Sequence, residues 1–314
     1  MVLFLCKIFL SFTNERTLIQ MFIEKINFSI AGINFSYQYY PHMNISENSA
    51  IFNFLLKSNG PIDVNNTIYV LPSSNIMNYV IKNGIFVHET PVWKNYLFDK
   101  KSYYLFSPNG ETNIALLEIE DENVSKMKTY LYNLDFDNQP LPICVTGLIL
   151  QLKLFNNNMG FLMHGATIKF RDKGLILTGN SGVGKSTLSK LFVSSINCEQ
   201  ITDDRFIILK HMDKYLSYGN PLDFKIERNK NTNTDINYML FLSHGEKNSL
   251  KILDTHDALH KLITISLLPY WDREKMKTCI KELESMSKNI KCYDYSFVPN
   301  TSAVKYLLKE FQYA

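Results

Sequence analysis

The first half of the chain alternates short apolar runs with clusters of Asn, Gly, Pro and Ser. Short runs bounded by such turn-forming residues are typical of β-strands. We predict strands at residues 26–37, with a break at Ala31-Gly32, at residues 67–71 and at residues 103–106. Many of these positions are aromatic, and aromatic residues in strands more often form core and cross-strand pairs than ligand sites. The pattern predicts a strand-rich α+β domain of unknown role.

The pattern changes at residues 138–142, where two prolines close together resist both a helix and a central strand. This change predicts a boundary between a strand-rich domain at residues 21–140 and a second domain at residues 141–314. Residues 1–20 begin with an apolar run that lacks the basic start and cleavage site of a secretory signal and is too short to span a membrane. Since Met21 opens a more ordinary beginning, we predict that residues 1–20 are a dispensable extension or belong to an over-extended reading frame.

The second half alternates helical and strand patterns. Apolar residues at helical spacing predict helices, and short continuous apolar runs predict buried strands. The helices are expected at residues 143–155 and around Leu188-Leu191-Phe192, Met276-Cys279-Ile280-Leu283 and Val304-Leu307-Leu308-Phe311, and the strands at residues 161–163, 166–170, 175–178, 206–209 and 292–298. This order of elements indicates an α/β domain.

Composition and charge exclude several classes of protein. Of 314 residues, 46% are hydrophobic and 20% are charged, which is typical of a folded globular protein rather than a disordered one. The 33 Lys and Arg residues against 30 Asp and Glu residues leave a net charge of +3. This charge is too small to indicate binding to nucleic acid or to a membrane. The five cysteines form no CxxC pair or zinc-type cluster, which fits a reducing, cytoplasmic location.

One glycine-rich segment carries a specific chemical signal. Its residues are, in order, Gly179, Asn180, Ser181, Gly182, Val183, Gly184, Lys185, Ser186 and Thr187. They fit the pattern G-x-x-x-x-G-K-[ST] between a predicted strand and a predicted helix, the place of a phosphate-binding loop. Glycines allow positive φ, so that backbone N–H groups turn toward phosphate oxygens. We predict that the segment binds a nucleoside triphosphate, that Lys185 reaches the β- and γ-phosphates and that Ser186 ligates Mg²⁺.

Two adjacent carboxylates, Asp203 and Asp204, stand beside an apolar run after this segment. Because a strand alternates its faces, neighbouring carboxylates cannot do the same job. One could accept the proton of an attacking hydroxyl while the other holds magnesium. The competing interpretation is a capped turn in which Arg205 pairs with one of them. His164 also has two interpretations. It either takes part in the chemistry of the site or, as is usual for a lone histidine among apolar residues, is a core group whose hydrogen bonds are satisfied.

Three motifs together resemble a known family. Met163-His164-Gly165, the glycine-rich segment and Thr202-Asp203-Asp204-Arg205, in this order, resemble HPr kinase/phosphorylase over about residues 145–313. The resemblance implies the P-loop kinase core shared with phosphoenolpyruvate carboxykinase, which has a mixed sheet. It also implies ATP-dependent phosphorylation of a serine hydroxyl.

The same resemblance implies roles for individual side chains. Lys185 and Ser186 correspond to the phosphate and magnesium contacts. Asp203 corresponds to the general base and Asp204 to a metal-side carboxylate. His164 corresponds to a group near the transferred phosphate.

Some features differ from that family. Thr187 stands where its members usually have glutamate, and the later glycine-rich segment associated with the reverse, phosphorolytic reaction is missing. The layout is more similar to divergent HPr kinase-like proteins, including ones found with modified-peptide pathways. The polar segment at residues 229–235 either shapes an acceptor site or is a plain surface loop.

We therefore predict a cytoplasmic serine kinase that phosphorylates a peptide or small protein and binds neither nucleic acid nor a membrane. Two alternatives remain: a kinase of a small hydroxyl compound such as free serine, and a nucleotide-binding module without catalysis. The chain lacks the N-K-x-D and L-S-G-G-Q signatures, which argues against guanine-nucleotide switches and transporter ATPases. Relatives of the family it resembles include hexamers, so a homo-oligomer is left open.

Overall fold

The computed structural model describes residues 24–39, 50–56, 60–70, 75–107, 113–132, 143–222 and 230–311. The predicted extension at residues 1–20 and the predicted boundary at residues 138–142 lie outside these ranges. Within them the chain is a mixed α/β structure with two mixed sheets.

The first sheet comes from the strand-rich half of the chain. Its strands are β1 (Glu24–Ile30), β2 (Ile33–Tyr39), β3 (Val64–Val70), β4 (Ile85–Glu89), β5 (Trp93–Phe98), β6 (Lys101–Phe106), β7 (Ala115–Ile119) and β8 (Lys126–Leu131). Their spatial order is β1-β2-β3-β8-β7-β6-β5-β4. A 3-10 helix (Ala50–Phe54) and helix α1 (Asn75–Asn83) also belong to this half.

The predicted break in the first strand pair is a hairpin turn. Ala31 and Gly32 connect β1 to β2 and both have positive φ, 52° and 80°. Two central residues with positive φ give the turn that matches the twist of paired strands. The predicted strands at residues 67–71 and 103–106 correspond to β3 and β6, although Leu71 lies outside the described residues.

The second sheet contains the strand that leads into the glycine-rich segment. Its strands are β9 (Gly160–His164), β10 (Ala166–Phe170), β11 (Lys173–Thr178), β12 (Glu199–Thr202), β13 (Arg205–His211), β14 (Lys214–Tyr218), β15 (Asn233–His244), β16 (Ser249–Ile252) and β17 (Lys291–Phe297). The helices of this half are α2 (Ile143–Asn156), α3 (Lys185–Ser195), α4 (Thr255–Ile265), α5 (Arg273–Asn289) and α6 (Thr301–Glu310). The predicted helices and strands are thereby confirmed. None of the described helices combines the length and apolar character needed to cross a bilayer.

Three parallel strands set the position of the glycine-rich segment. β15 runs parallel to β11 on one side and to β17 on the other. Their carboxyl ends meet at one edge, because Thr178 lies opposite Phe241 and His244 lies opposite Phe297. Ligands of open α/β sheets bind outside the carboxyl ends of the parallel strands.

Helices cover both faces of these central strands. Leu177 of β11 belongs to the buried cluster that contains side chains of α3 and α6. Its neighbour Ile176 belongs to the cluster that contains side chains of α4 and α5. Because both faces are buried, β11 is continuously apolar instead of alternating, which is the pattern that predicted an interior strand.

Helix α2 joins the two sheets through a shared core. One cluster of buried side chains contains Phe106 of the first sheet, Leu150 of α2 and Ile207 of β13. The Tyr37 hydroxyl donates to Thr146 Oγ1 of α2 at 3.3 Å within this core. Apolar burial therefore continues from one sheet to the other along α2.

The prediction of a polar loop at residues 229–235 is wrong for its last three residues. Asn233 to Asp235 form the start of β15 and pair with β14, with Asp235 opposite Leu216. The segment just before it lies beside β12, since Lys230 N donates to Ile201 O at 3.3 Å. Strand pairing with β14 overrides the polar composition of these residues.

Candidate functional site

The glycine loop, residues 179–184, connects β11 to α3. Gly179, Gly182 and Gly184 have φ values of 138°, 79° and 96°. Residues with a side chain rarely adopt such angles, so this backbone conformation requires glycine at the three positions. A Cβ on Gly184 would also lie 2.8 Å from Phe297 Cζ of β17, whereas a Cβ on Gly182 would meet no heavy atom within 4 Å.

This difference predicts unequal costs for two similar substitutions. We expect Gly182→Ala to lower the free energy of unfolding by about 1–2 kcal/mol, the cost of a left-handed residue with a side chain. Gly184→Ala pays the same backbone cost and in addition forces Phe297 to move, so its loss is larger. Urea denaturation of both variants measures the difference. Equal losses would show that Phe297 does not restrict Gly184.

Helix α3 starts directly after the loop. Gly184 is its N-cap and provides no side-chain hydrogen bond to the first turn. The first amide groups of a helix lack intrahelical partners and carry the positive end of the helix dipole. The Lys185 ammonium folds over the loop and donates to Gly179 O at 2.9 Å and to Asn180 O at 3.0 Å. Positive charge and amide donors therefore converge on this loop.

The structure brings one of the predicted carboxylates, Asp203, to the start of α3, directly after the glycine loop. Ser186 Oγ donates to Asp203 Oδ2 at 3.3 Å. Asp203 is 1% exposed, whereas the Asp204 side chain is 43% exposed and its Oδ2 lies 4.0 Å from Arg205 Nε. The expectation that both residues share one strand is wrong, because they form the connection between β12 and β13. This connection buries one carboxylate and leaves the other accessible.

Gln200 of β12 is a site residue that the sequence did not reveal. Its side-chain amide donates to Asp203 Oδ1 at 3.0 Å and to Thr202 O at 3.3 Å. Asp203 thus has one oxygen held by Gln200 and the other by Ser186. These two bonds fix the orientation of the carboxylate toward the start of α3.

His164 lies at the end of β9, beside the carboxylates. It pairs with Arg205 across the strands, and its carbonyl accepts a hydrogen bond from Thr178 Oγ1 at 2.7 Å, immediately before the glycine loop. Burial, helped by the positive charges of Arg205 and Lys185, lowers the pKa of His164, while Asp204 acts in the opposite direction. The imidazole is therefore neutral at pH 7.

His244 also belongs to the site and was not singled out from the sequence. It ends β15, its ring stacks on Phe297 at 6.1 Å between centroids, and its Nε2 lies 3.4 Å from Gly182 O. A polar residue at the end of a buried strand is the signal that could have identified His244. Using that signal requires knowing that β15 lies next to β11.

The remaining residues of the glycine-rich segment occupy two environments. Val183 packs against the buried cluster of α3 and α6. Asn180, Ser181 and Thr187 are exposed. Their side chains therefore face solvent around the loop, where they are accessible to a ligand.

Comparison with known proteins gives little further information. No protein-family model matches the chain, and no curated protein sequence matches it. A solved structure of the HPr(Ser) kinase/phosphatase from Coxiella burnetii aligns with 48% of this chain and 95% of its own, at 11% sequence identity and a TM-score of 0.30. A TM-score this low establishes neither a shared fold nor a shared function.

Proposed function

We propose that the protein is a phosphotransferase that binds Mg-ATP at the glycine loop and phosphorylates a serine hydroxyl of a peptide or small protein. One observation carries this proposal. The hydroxyl of Ser186, at the start of α3 behind three glycines of positive φ, is hydrogen-bonded to Asp203 from a separate strand connection. A loop, a lysine, a serine and a carboxylate in this arrangement are the parts that phosphoryl transfer requires.

The loop has the properties of a phosphate site. Amide groups at the start of α3 and the helix dipole favour an anion there. Lys185 donates to two loop carbonyls, and a triphosphate tail offers it a stronger, charged partner within the same reach. A Cβ on Gly182 would meet no heavy atom within 4 Å, so a ligand can approach the loop at this residue.

The oxygen donors next to the loop fit magnesium. Mg²⁺ prefers hydroxyl, carboxylate and water oxygens, and Ser186, Asp203 and Asp204 supply the first two kinds. When bound, magnesium neutralises charge on the phosphates. Asp203 accepts the proton of the acceptor serine, Asp204 binds on the metal side, and neutral His164 offers a hydrogen bond near the transferred phosphate.

The opposite division of the two carboxylates is a second candidate. The contact between Ser186 and Asp203 favours Asp203 on the metal side, because both oxygens could then approach one ion. The exposed Asp204 would accept the proton, since an acceptor hydroxyl can reach it from solvent. Both assignments use the side chains of Ser186, Asp203, Asp204 and His164, and both predict the same overall reaction.

The direct test is transfer of labelled phosphate from ATP. The purified chain is incubated with Mg-ATP and serine-containing peptides or small proteins, and mass spectrometry locates any phosphoserine. We expect label on a peptide serine. Label on free serine alone would support the small-molecule kinase, binding of ATP without any transfer would support the inactive module, and release of free phosphate alone would contradict a kinase.

Gln200 gives a prediction about orientation of the carboxylate. We expect Gln200→Ala to lower kcat about tenfold, roughly 1.4 kcal/mol, because Asp203 loses the amide that holds Oδ1. The KM for ATP and the melting temperature should stay near the wild-type values. Gln151→Ala is the matched control, since Gln151, on α2, is also half-buried but donates to Leu267 O, after α4, instead. An equal fall in both variants would contradict a positioning role.

A further inference from the structure

A cluster of metal-ligating side chains lies at the start of α4. Asp254, His256 and Asp257 have ligand atoms within 4.8 Å of one another, and His260 lies beside His256; all four residues are exposed. Leu253, just before the cluster, donates from its backbone N–H to Cys292 O near the start of β17. The glycine loop lies at the other end of β17, beside Phe297. The cluster is therefore separate from the proposed nucleotide site.

The two histidines have the separation that a metal ion requires. His256 and His260 are four residues apart on α4, so they share one face of the helix. Their Nε2 atoms are 3.2 Å apart. Two Zn–N bonds of about 2.0–2.1 Å at a tetrahedral angle hold their nitrogens about 3.3–3.4 Å apart. The distance between the two nitrogens therefore fits two ligands of one ion.

The neighbouring carboxylates complete the surroundings of His256. Asp257 Oδ1 lies 3.8 Å from His256 Nδ1, the ring nitrogen that does not face His260. This distance is longer than a hydrogen bond, and a small rotation of either side chain would let Asp257 accept from Nδ1–H, which leaves Nε2 as a metal ligand. Asp254 Oδ1 caps the helix by accepting from Asp257 N at 2.8 Å, which holds Asp257 next to the histidine.

We propose that His256 and His260 form a surface site for a divalent transition-metal ion such as Zn²⁺, with Asp257 orienting His256. Imidazole ligands favour zinc, copper or nickel over magnesium, which prefers oxygen. The site is thus chemically distinct from the magnesium site proposed beside Ser186. Without metal, the same distance allows a hydrogen bond between the two rings, and the ion replaces that bond.

Calorimetric titration of the full chain with Zn²⁺ at pH 7.5, in excess Mg²⁺, tests the proposal. We expect one zinc site that magnesium does not block. His256→Ala and His260→Ala should each weaken it at least about tenfold, and Asp257→Asn by about tenfold, the usual effect of losing an orienting carboxylate. His211→Ala, which removes another exposed histidine, on β13, is the matched control and should bind as wild type.

A second readout uses Co²⁺ as a spectroscopic probe. Coordination of cobalt by the two imidazoles should give visible absorption that disappears in the His256→Ala and His260→Ala variants but persists in His211→Ala. Circular dichroism confirms that each variant is folded. Absence of zinc binding in the wild type, or equal affinity in all histidine variants, would overturn the proposal. Because neither readout involves ATP, the outcome is independent of the phosphotransferase assignment.

Discussion

Asp203→Asn is expected to abolish phosphoryl transfer while ATP still binds. Asparagine has nearly the same shape and can still accept from Gln200 Nε2, so the surroundings of the site remain. It cannot accept the proton of the acceptor serine, and general-base catalysis contributes about 10²–10⁴-fold to a rate. The transfer rate should fall by about this factor, whereas ATP affinity by calorimetry should stay close to the wild-type value.

Asp204→Asn is the matched variant and separates the two carboxylate roles. If Asp204 serves the metal, this variant should need more Mg²⁺ for half-maximal activity but recover much of its rate at high Mg²⁺. If instead Asp203→Asn responds to Mg²⁺ and Asp204→Asn does not, the two residues exchange roles. Wild-type activity in the Asp203→Asn variant would remove Asp203 from the mechanism, provided that its melting temperature is unchanged.

The parts of the fold that the sequence predicts well are those fixed by local pattern. β11 is apolar on both faces because helices cover both faces, and this makes a continuous apolar run visible in the sequence. The glycine loop is visible because positive φ at Gly179, Gly182 and Gly184 restricts these positions to glycine. Both features need only neighbouring residues, so one sequence is sufficient to predict them.

The parts that the sequence does not predict depend on contacts between distant segments. His244 reaches the glycine loop only because β15 pairs with β11 in parallel. Asp203 and Asp204 differ in burial because β12 ends at Thr202 and the chain turns before β13. Alternation along one strand suggested that the two carboxylates point apart, but it did not tell which one is buried.

The sequence also does not predict how the two halves of the chain pack against each other. The apolar stretch at residues 143–155 predicted the helix α2 but not its partners. In the structure its buried residues join a cluster with both sheets, and Trp271, before α5, contacts Trp93 of the first sheet at 5.0 Å between ring centroids. Such contacts depend on tertiary packing, which no periodicity in the sequence encodes.

Lys185→Ala is expected to remove most of the affinity for ATP. The ammonium already lies over the glycine loop, and a hydrogen bond from a charged group contributes about 1.5–3 kcal/mol. Its loss should weaken ATP binding by roughly 10- to 100-fold. Lys190→Ala, which removes an exposed lysine from the same helix, should leave the affinity unchanged. Calorimetric titration with ATP and Mg²⁺ measures both variants.

The Lys185 variant tests the loop more directly than a loss of activity would. This lysine bonds the carbonyls of Gly179 and Asn180, so its removal also changes the loop itself. Thermal melting without nucleotide shows the size of that change, and the shift of melting temperature on adding ATP reports binding alone. Wild-type ATP affinity in Lys185→Ala would mean that the nucleotide does not bind at the glycine loop. The carboxylate beside Ser186 would then need another explanation, because its proposed role requires the phosphates to lie next to α3.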